Sequence, residues 1–184
     1  MIIVISGPPG SGKSTVGKKL SEKFSLKYIS AGQIFRDLAQ KEGLSLLDLN
    51  KKAEKVFEID RKIDQEILRI ATTEKNIIIE SHIGGWLLKG IADFSVYLNA
   101  SIETRAKRIA MRDNISYYEA LDQIIKREES HFRRFLLYYG IDITDLSVFD
   151  LVINSDFISP DDIVKIIEIA LLSLKGEKDS LKSL

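Results

Sequence analysis

The sequence predicts an α/β protein with a parallel sheet wrapped by helices on both faces. Five short, β-branched apolar runs return along the chain, at residues 2–5, 27–29, 76–79, 94–98 and 151–153. Each has strand length, and the first, Ile2–Ile5, reads as buried on both faces. Between them lie helical periodicities, the alternation that builds parallel sheets through crossover helices. The first run passes directly into a Gly/Pro-rich turn and then a helix, the start of a βαβ unit.

Taken in order, residues 2–5 form the first strand and residues 7–12 the turn. The helix that follows repeats Val16, Leu20 and Phe24 at helical spacing. After the strand at 27–29, helices are expected at 33–41 and 59–71, then the strands at 76–79 and 94–98. Further helices are expected at 102–112 and 117–128, and the last strand is at 151–153. A final amphipathic helix, 161–174, begins after Ser159-Pro160 and gathers Ile163, Ile166, Ile167 and Ala170 on one face. Two stretches, 33–73 and 114–148, are helical with no strand between, and read as mobile flaps on a core of 1–32, 74–113 and 149–174. The polar tail from residue 175, KGEKDSLKSL, is expected to fray.

The 184 residues suit one domain with small insertions. At 45% hydrophobic and 29% charged, the composition is that of a well-cored globule. Lys+Arg and Asp+Glu both number 27, so no global field exists to hold a polyanion, and neither nucleic acid nor a membrane surface is an expected partner. The absence of cysteine excludes disulfides, thiolate metal sites and thiol nucleophiles. The opening run MIIVISG has no basic leader and is too short for a signal or a span, so a cytoplasmic location is expected.

Residues 7–15 carry the clearest chemistry. Gly7, Gly12, Lys13 and Ser14 satisfy G-x-x-x-x-G-K-[ST] between a buried strand and a helix. In that context the backbone N–H groups of Gly7, Pro8, Pro9, Gly10, Ser11, Gly12, Lys13, Ser14 and Thr15 (the prolines contributing shape only) cradle phosphate at a helix N-terminus. Lys13 bridges the β- and γ-phosphates, and the Ser14 hydroxyl ligates Mg²⁺. ATP with magnesium is the expected ligand.

A P-loop alone serves switches, motors and kinases. The chain has no Asn-Lys-x-Asp motif for guanine, and Ser30-Ala31-Gly32-Gln33 echoes a transporter signature far too early in the chain. A small kinase remains. Phosphorylating an alcohol requires a base, whereas a monophosphate acceptor is already an oxyanion and requires cations to bring two polyanions together. Arg105, Arg108 and Arg112 fall on one helix face, and Arg127 and Arg134 are seven apart in REESHFRRF.

Over nearly its whole length the chain resembles the nucleoside monophosphate kinase family, most closely the archaeal-type cytidylate kinases. The resemblance runs through the P-loop, residues 30–36 (SAGQIFR), 58–64 (EIDRKID), 80–86 (ESHIGGW), 127–130 (REES), 139–142 (YGID) and 150–154 (DLVIN). It implies a P-loop NTPase-type fold, a five-stranded sheet of order 2-3-1-4-5 with helical monophosphate-binding and lid insertions. It also implies ATP-dependent phosphorylation of CMP and dCMP by a monomer. Arg36 would grip the acceptor phosphate. Asp60 and Arg61 would lie near the base, where a carboxylate suits the exocyclic amine of cytosine and a guanidinium its N3 or O2. Arg108 would cover adenine, Arg112 would reach the phosphates, and Arg127 with Arg134 (or Arg133, one residue away) would close over the transferring phosphoryl.

Glu80 either orients magnesium-bound water or caps a strand end. His82 departs from the arginine expected at its position; neutral imidazole lacks an arginine's bidentate charge. Trp86 packs in the core or stacks on a base. Rival readings are a kinase for AMP, UMP or a small metabolite, a non-catalytic nucleotide sensor, and a 5′-polynucleotide kinase, the last disfavoured by zero net charge.

Overall fold

The computed structural model describes residues 1–53 and 56–181. Its strands are β1 (Ile2–Ser6), β2 (Lys27–Ser30), β3 (Ile77–Glu80), β4 (Phe94–Asn99) and β5 (Leu151–Asn154). They form one parallel sheet in the order β2-β3-β1-β4-β5, as expected. β1 lies at the centre, with Val4 beside Ile79 on one side and Ser95 on the other.

Successive side chains of a strand point to opposite faces, so β1 feeds two cores. Ile3 and Ile5 pack with Val16 and Leu20 of α1 (Lys13–Phe24) and with Ile163 and Ile167 of α8 (Pro160–Leu181). Ile2 and Val4 pack on the other face with Ile67 and Ile70 of α4 (Glu58–Thr73). This explains why the β1 run is apolar through Ile5 instead of alternating.

The two insertions have small cores of their own. The flap comprises α2 (Ala31–Lys41), α3 (Leu46–Ala53) and α4, and it buries Ala39, Leu49, Ala53 and Ile59 against Phe35 and Leu38. After the single-turn α5 (Gly84–Leu87), the chain crosses β4 to α6 (Ile102–Asp113) and α7 (Tyr117–Tyr139). Those two helices pair through Ala106, Ile109, Ala120 and Ile124.

Two helices are longer than their patterns suggested. α7 continues from 128 to Tyr139, where Gly140 stops it in the left-handed region at φ 64. Its apolar rhythm fades because the inward positions past Ile124 are mostly polar. α8 continues past 174 to Leu181, so the tail expected to fray is helical over its described part; residues 182–184 lie outside the described residues. Among the described residues, no helix is long and apolar enough to cross a membrane.

Candidate active site

The order of the sheet reverses at β1, and the crevice at the C-terminal ends of β1, β3 and β4 is where ligands enter such folds. The P-loop occupies it. Gly10 (φ 83) and Gly12 (φ 96) bend the chain into α1. A Cβ at Gly10 would come within 2.9 Å of the Arg105 Cβ, so the loop lies directly on α6. Ser155 fastens it from β5, its Oγ donating to the Ser11 carbonyl at 2.9 Å.

Lys13 is buried, and its Nζ donates to the Pro8 carbonyl at 2.9 Å. Burial lowers its pKa to about 8, with Arg127, Arg105 and Arg112 adding to the effect and Glu80 opposing it. Ser14 and Thr15 face the open side of the loop. Glu80, at the end of β3, accepts from Tyr28 Oη and Ser30 Oγ, both at 2.7 Å. Burial raises the Glu80 pKa, but Lys13 and the hydroxyls of Tyr28, Ser30 and Ser14 outweigh it and hold the carboxyl below its ordinary range. It is therefore an ionised carboxylate beside Ser14. One carboxylate and one hydroxyl fit magnesium, which keeps several waters and takes its remaining ligands from substrate phosphates. Among the described residues no cluster of three or more His, Cys, Asp or Glu could form a protein cage for a metal.

The arginines of α6 are anchored differently. Arg105 is buried, donating to Ala100 O at 3.1 Å and Pro9 O at 3.4 Å and pairing with Glu128 of α7 at 2.6 Å. Arg108 donates to Ser155 Oγ and O at 2.9 and 2.6 Å and to Gly10 O at 3.3 Å. Arg112 is exposed and forms a bidentate pair with Asp113. Of the two arginines at 133/134, Arg134 is buried, while Arg133 is exposed and approaches Glu129 at 3.5 Å.

Arg134 Nη1 pairs with Asp60 Oδ2, so two residues given separate tasks from sequence meet across the gap between lid and flap. Tyr139 Oη donates to Asp64 Oδ2 one turn further on, and Phe57 packs tilted on Tyr138 and edge-on to Tyr139 with centroids 4.5 and 5.5 Å away. Burial, outweighing Arg134, raises the Asp60 pKa. Arg36 is exposed on α2 and, among the described residues, donates to the Gln33 amide oxygen alone, at 3.1 and 2.8 Å. Arg61 is exposed on α4.

His82 follows β3 and meets His131 of α7 edge to face, with centroids 4.7 Å apart. Burial and the nearby Lys13, Arg127, Arg105 and Arg134 lower its pKa to about 3, leaving a neutral imidazole among cations. Trp86 belongs to the scaffold: its Nε1 donates to Asp145 O at 2.9 Å and its ring meets Phe149 at 4.8 Å. A cleft of about 490 Å³ opens beside the P-loop between Pro8, His82, Tyr97, Arg105, Glu128 and Phe132.

This arrangement sets the P-loop amides and Lys13 on one side and arginines of α6 and α7 on the other, a geometry suited to phosphate. Residues 2–157 match the model of the cytidylate kinase-like family. The chain belongs to that family. It is 77% identical over 168 residues to a cytidylate kinase of Sulfurisphaera tokodaii, covering 91% of this chain and 93% of that one. It is 58% identical to a cytidylate kinase of Sulfolobus acidocaldarius, covering 98% and 99%. Similar solved structures include an uncharacterized protein from Eubacterium ventriosum (TM-score 0.69, 20% identity, 91% and 95% covered). They also include shikimate kinase from Aquifex aeolicus (TM-score 0.57, 23% identity, 97% and 98% covered). At those identities the likeness shows the fold alone.

Within this family frame the structure adds residues that sequence reading did not assign. Arg105, Glu128 and Ser155 lock the P-loop to α6, α7 and β5. Asp64 and Tyr139 reinforce the lid–flap contact. His131 sits at i+4 from Arg127 and i−3 from Arg134, a helical spacing that was visible in REESHFRRF but outweighed by the charges around it.

Proposed function

We propose that this protein transfers the γ-phosphoryl group of ATP to CMP, and also to dCMP, giving the nucleoside diphosphate and ADP. The carrying observation is a P-loop with buried Lys13 seated at the switch point of the sheet and packed against Arg105 of α6. The full-length identity to cytidylate kinases supports CMP as acceptor.

Phosphoryl transfer between nucleotides is mainly a problem of placing anions. The P-loop amides and Lys13 hold the donor's β- and γ-phosphates. Arg36 exchanges its Gln33 contact for the acceptor phosphate. An acceptor oxygen then forms its bond to the γ-phosphorus as the bond to the β–γ bridging oxygen breaks, and no proton has to move to make the nucleophile. Arg112, Arg127 and Arg134 face the charge that spreads over the equatorial oxygens. Magnesium, held by Ser14 and through water by Glu80, would neutralise donor charge. Arg108 flanks the adenine side, where Ser155 fixes its guanidinium.

Asp60 uses Oδ2 for Arg134, and its Oδ1 faces cytosine's exocyclic amine, with Arg61 beside it as donor to N3 or O2. Closure of the lid excludes water, which otherwise accepts the phosphoryl group. With small nucleotides as its partners, the protein works as a cytoplasmic monomer.

Coupled measurement of ADP formation with CMP, dCMP, UMP and AMP tests the reading. CMP should give the highest kcat/KM and dCMP a comparable one; a higher value for AMP would overturn it.

A further inference from the structure

We propose that His131 is a further substrate ligand, donating from Nδ1 to an oxygen of the phosphoryl group in transfer. The inference rests on the kinase reading above and assigns a task to a residue outside its P-loop and arginine set.

Position is the first argument. Arg127, His131 and Arg134 occupy i, i+4 and i+7 of α7, one stripe of the helix, and Lys13 of the P-loop helix lies near enough to act on His131. A group between two phosphate-facing arginines shares their target. The second argument is hydrogen-bond satisfaction. Among the described residues, three buried side-chain atoms have no partner: Ser11 Oγ, His131 Nδ1 and Arg134 Nε. Buried polar groups are nearly always paired, so two orphans three residues apart on one helix mark a place where a ligand can satisfy them. One of these three lies in the phosphate loop and the other two on the α7 stripe. An anionic oxygen serves a hydroxyl, an imidazole N–H and a guanidinium N–H alike, and beside a P-loop the oxygen supplied is a phosphate's.

The third argument is preorganisation. His131 lies nearly flat on Phe135 (centroids 5.3 Å apart, planes 26° apart) and edge-on to His82 at 4.7 Å. Ring packing on two sides fixes the direction of Nδ1 before substrate arrives, which is how a donor to developing charge acts without reorganisation. Burial, with Arg134, Arg127 and Lys13 nearby, keeps the ring neutral, so it adds a directed N–H without adding charge beside those cations.

Two substitutions separate this role from packing. His131→Phe retains the stack on Phe135 and removes both nitrogens; His131→Asn places an amide N–H close to the position of Nδ1. The Phe variant is expected to keep its melting temperature and to lose about 10- to 100-fold in kcat, with less than threefold change in the KM for ATP. The Asn variant should recover at least a fifth of wild-type kcat. In wild type, the His131 imidazole ¹⁵N signals should shift on saturation with CMP and a non-hydrolysable ATP analogue. A Phe variant turning over CMP within twofold of wild type, or unshifted imidazole signals in the ternary complex, overturns the assignment. Failure of the acceptor reading looks different: wild type would then turn over another monophosphate in preference to CMP. The same variants measured on that acceptor would still decide the role of His131.

Discussion

Replacing Asp64 with asparagine should stabilise the protein at neutral pH and lose that benefit on acidification. Asp64 is 8% exposed, and its carboxyl is pushed up to about 6 from an ordinary 3.8. Burial is the largest cause and Asp60 adds to it, while the Tyr139 hydroxyl and Arg134 act in the opposite direction. A carboxyl whose folded pKa exceeds its unfolded one contributes its full stability below the unfolded value and loses it as pH rises through the folded value. For Asp64 the window runs from about 4 to about 6, and the ionised group costs about 3 kcal/mol above it. The substituted amide retains an oxygen for Tyr139 but buries an N–H, at a cost of about 1 kcal/mol. The net gain at pH 7.5 is therefore about 2 kcal/mol, or about 4–8 °C in Tm for a chain of this size. At pH 4 the gain should vanish or change sign. Unfolding of wild type and Asp64→Asn by calorimetry from pH 4 to 8 at fixed ionic strength measures it. No gain at pH 7.5, or a gain independent of pH, refutes the claim that burial governs this carboxyl.

Other outcomes follow from the same geometry. In the free protein Lys13 titrates near 8, and triphosphate charge raises that value; calorimetric ATP titrations at pH 8.5 in two buffers of different ionisation heat should reveal proton uptake, and equal heats would contradict it. Arg105→Met breaks an ion pair whose arginine is 7% exposed but whose Glu128 is 34% exposed. The loss should fall below that of a fully buried pair, at about 2–3 kcal/mol by denaturant unfolding, and a change under about 0.5 would refute the locking role. Arg36→Ala removes an exposed side chain that, among the described residues, is bound to Gln33 alone. It should leave Tm unchanged while raising the acceptor KM tenfold or more and the ATP KM little; a proportionate rise in both would contradict an acceptor role.

What the sequence revealed followed the range of the interactions involved. All five strands were readable because each is a short, largely apolar run between helical patterns, and the P-loop because its geometry is encoded within nine consecutive residues. Helix ends were readable where a cap marks them, as Ser101 and Ser116 do. α7 was cut short because its inner face past Ile124 is built from Arg127, Glu128, His131 and Arg134, whose partners are protein groups and proposed phosphates instead of a core. The pairs Arg105–Glu128, Asp60–Arg134 and Asp64–Tyr139 were illegible, since no local periodicity reports which charge lies opposite across a cleft. The segment 150–154 shows a further limit. It contributes to the family resemblance, yet Asp150 holds the sheet, accepting from Ser95 N and Oγ at 2.7 and 2.8 Å. Recurring motifs mix groups that meet substrate with groups that hold the frame, and only coordinates separate them.

The unbroken course of α7 imposes a constraint on how the chain can change length. Glu128 meets the core through Arg105, while Arg134 and Tyr139 meet the flap, all from one helix. One residue inserted between Glu128 and His131 would turn everything beyond it by about 100°, carrying Arg134 and Tyr139 away from Asp60 and Asp64 with Glu128 still in place. Tolerated insertions and deletions should therefore fall in the turn at Asn114–Ile115 or beyond Gly140, and any within the helix should come in multiples that restore its phase. The register of one rod thus sets which length variants of this kinase survive.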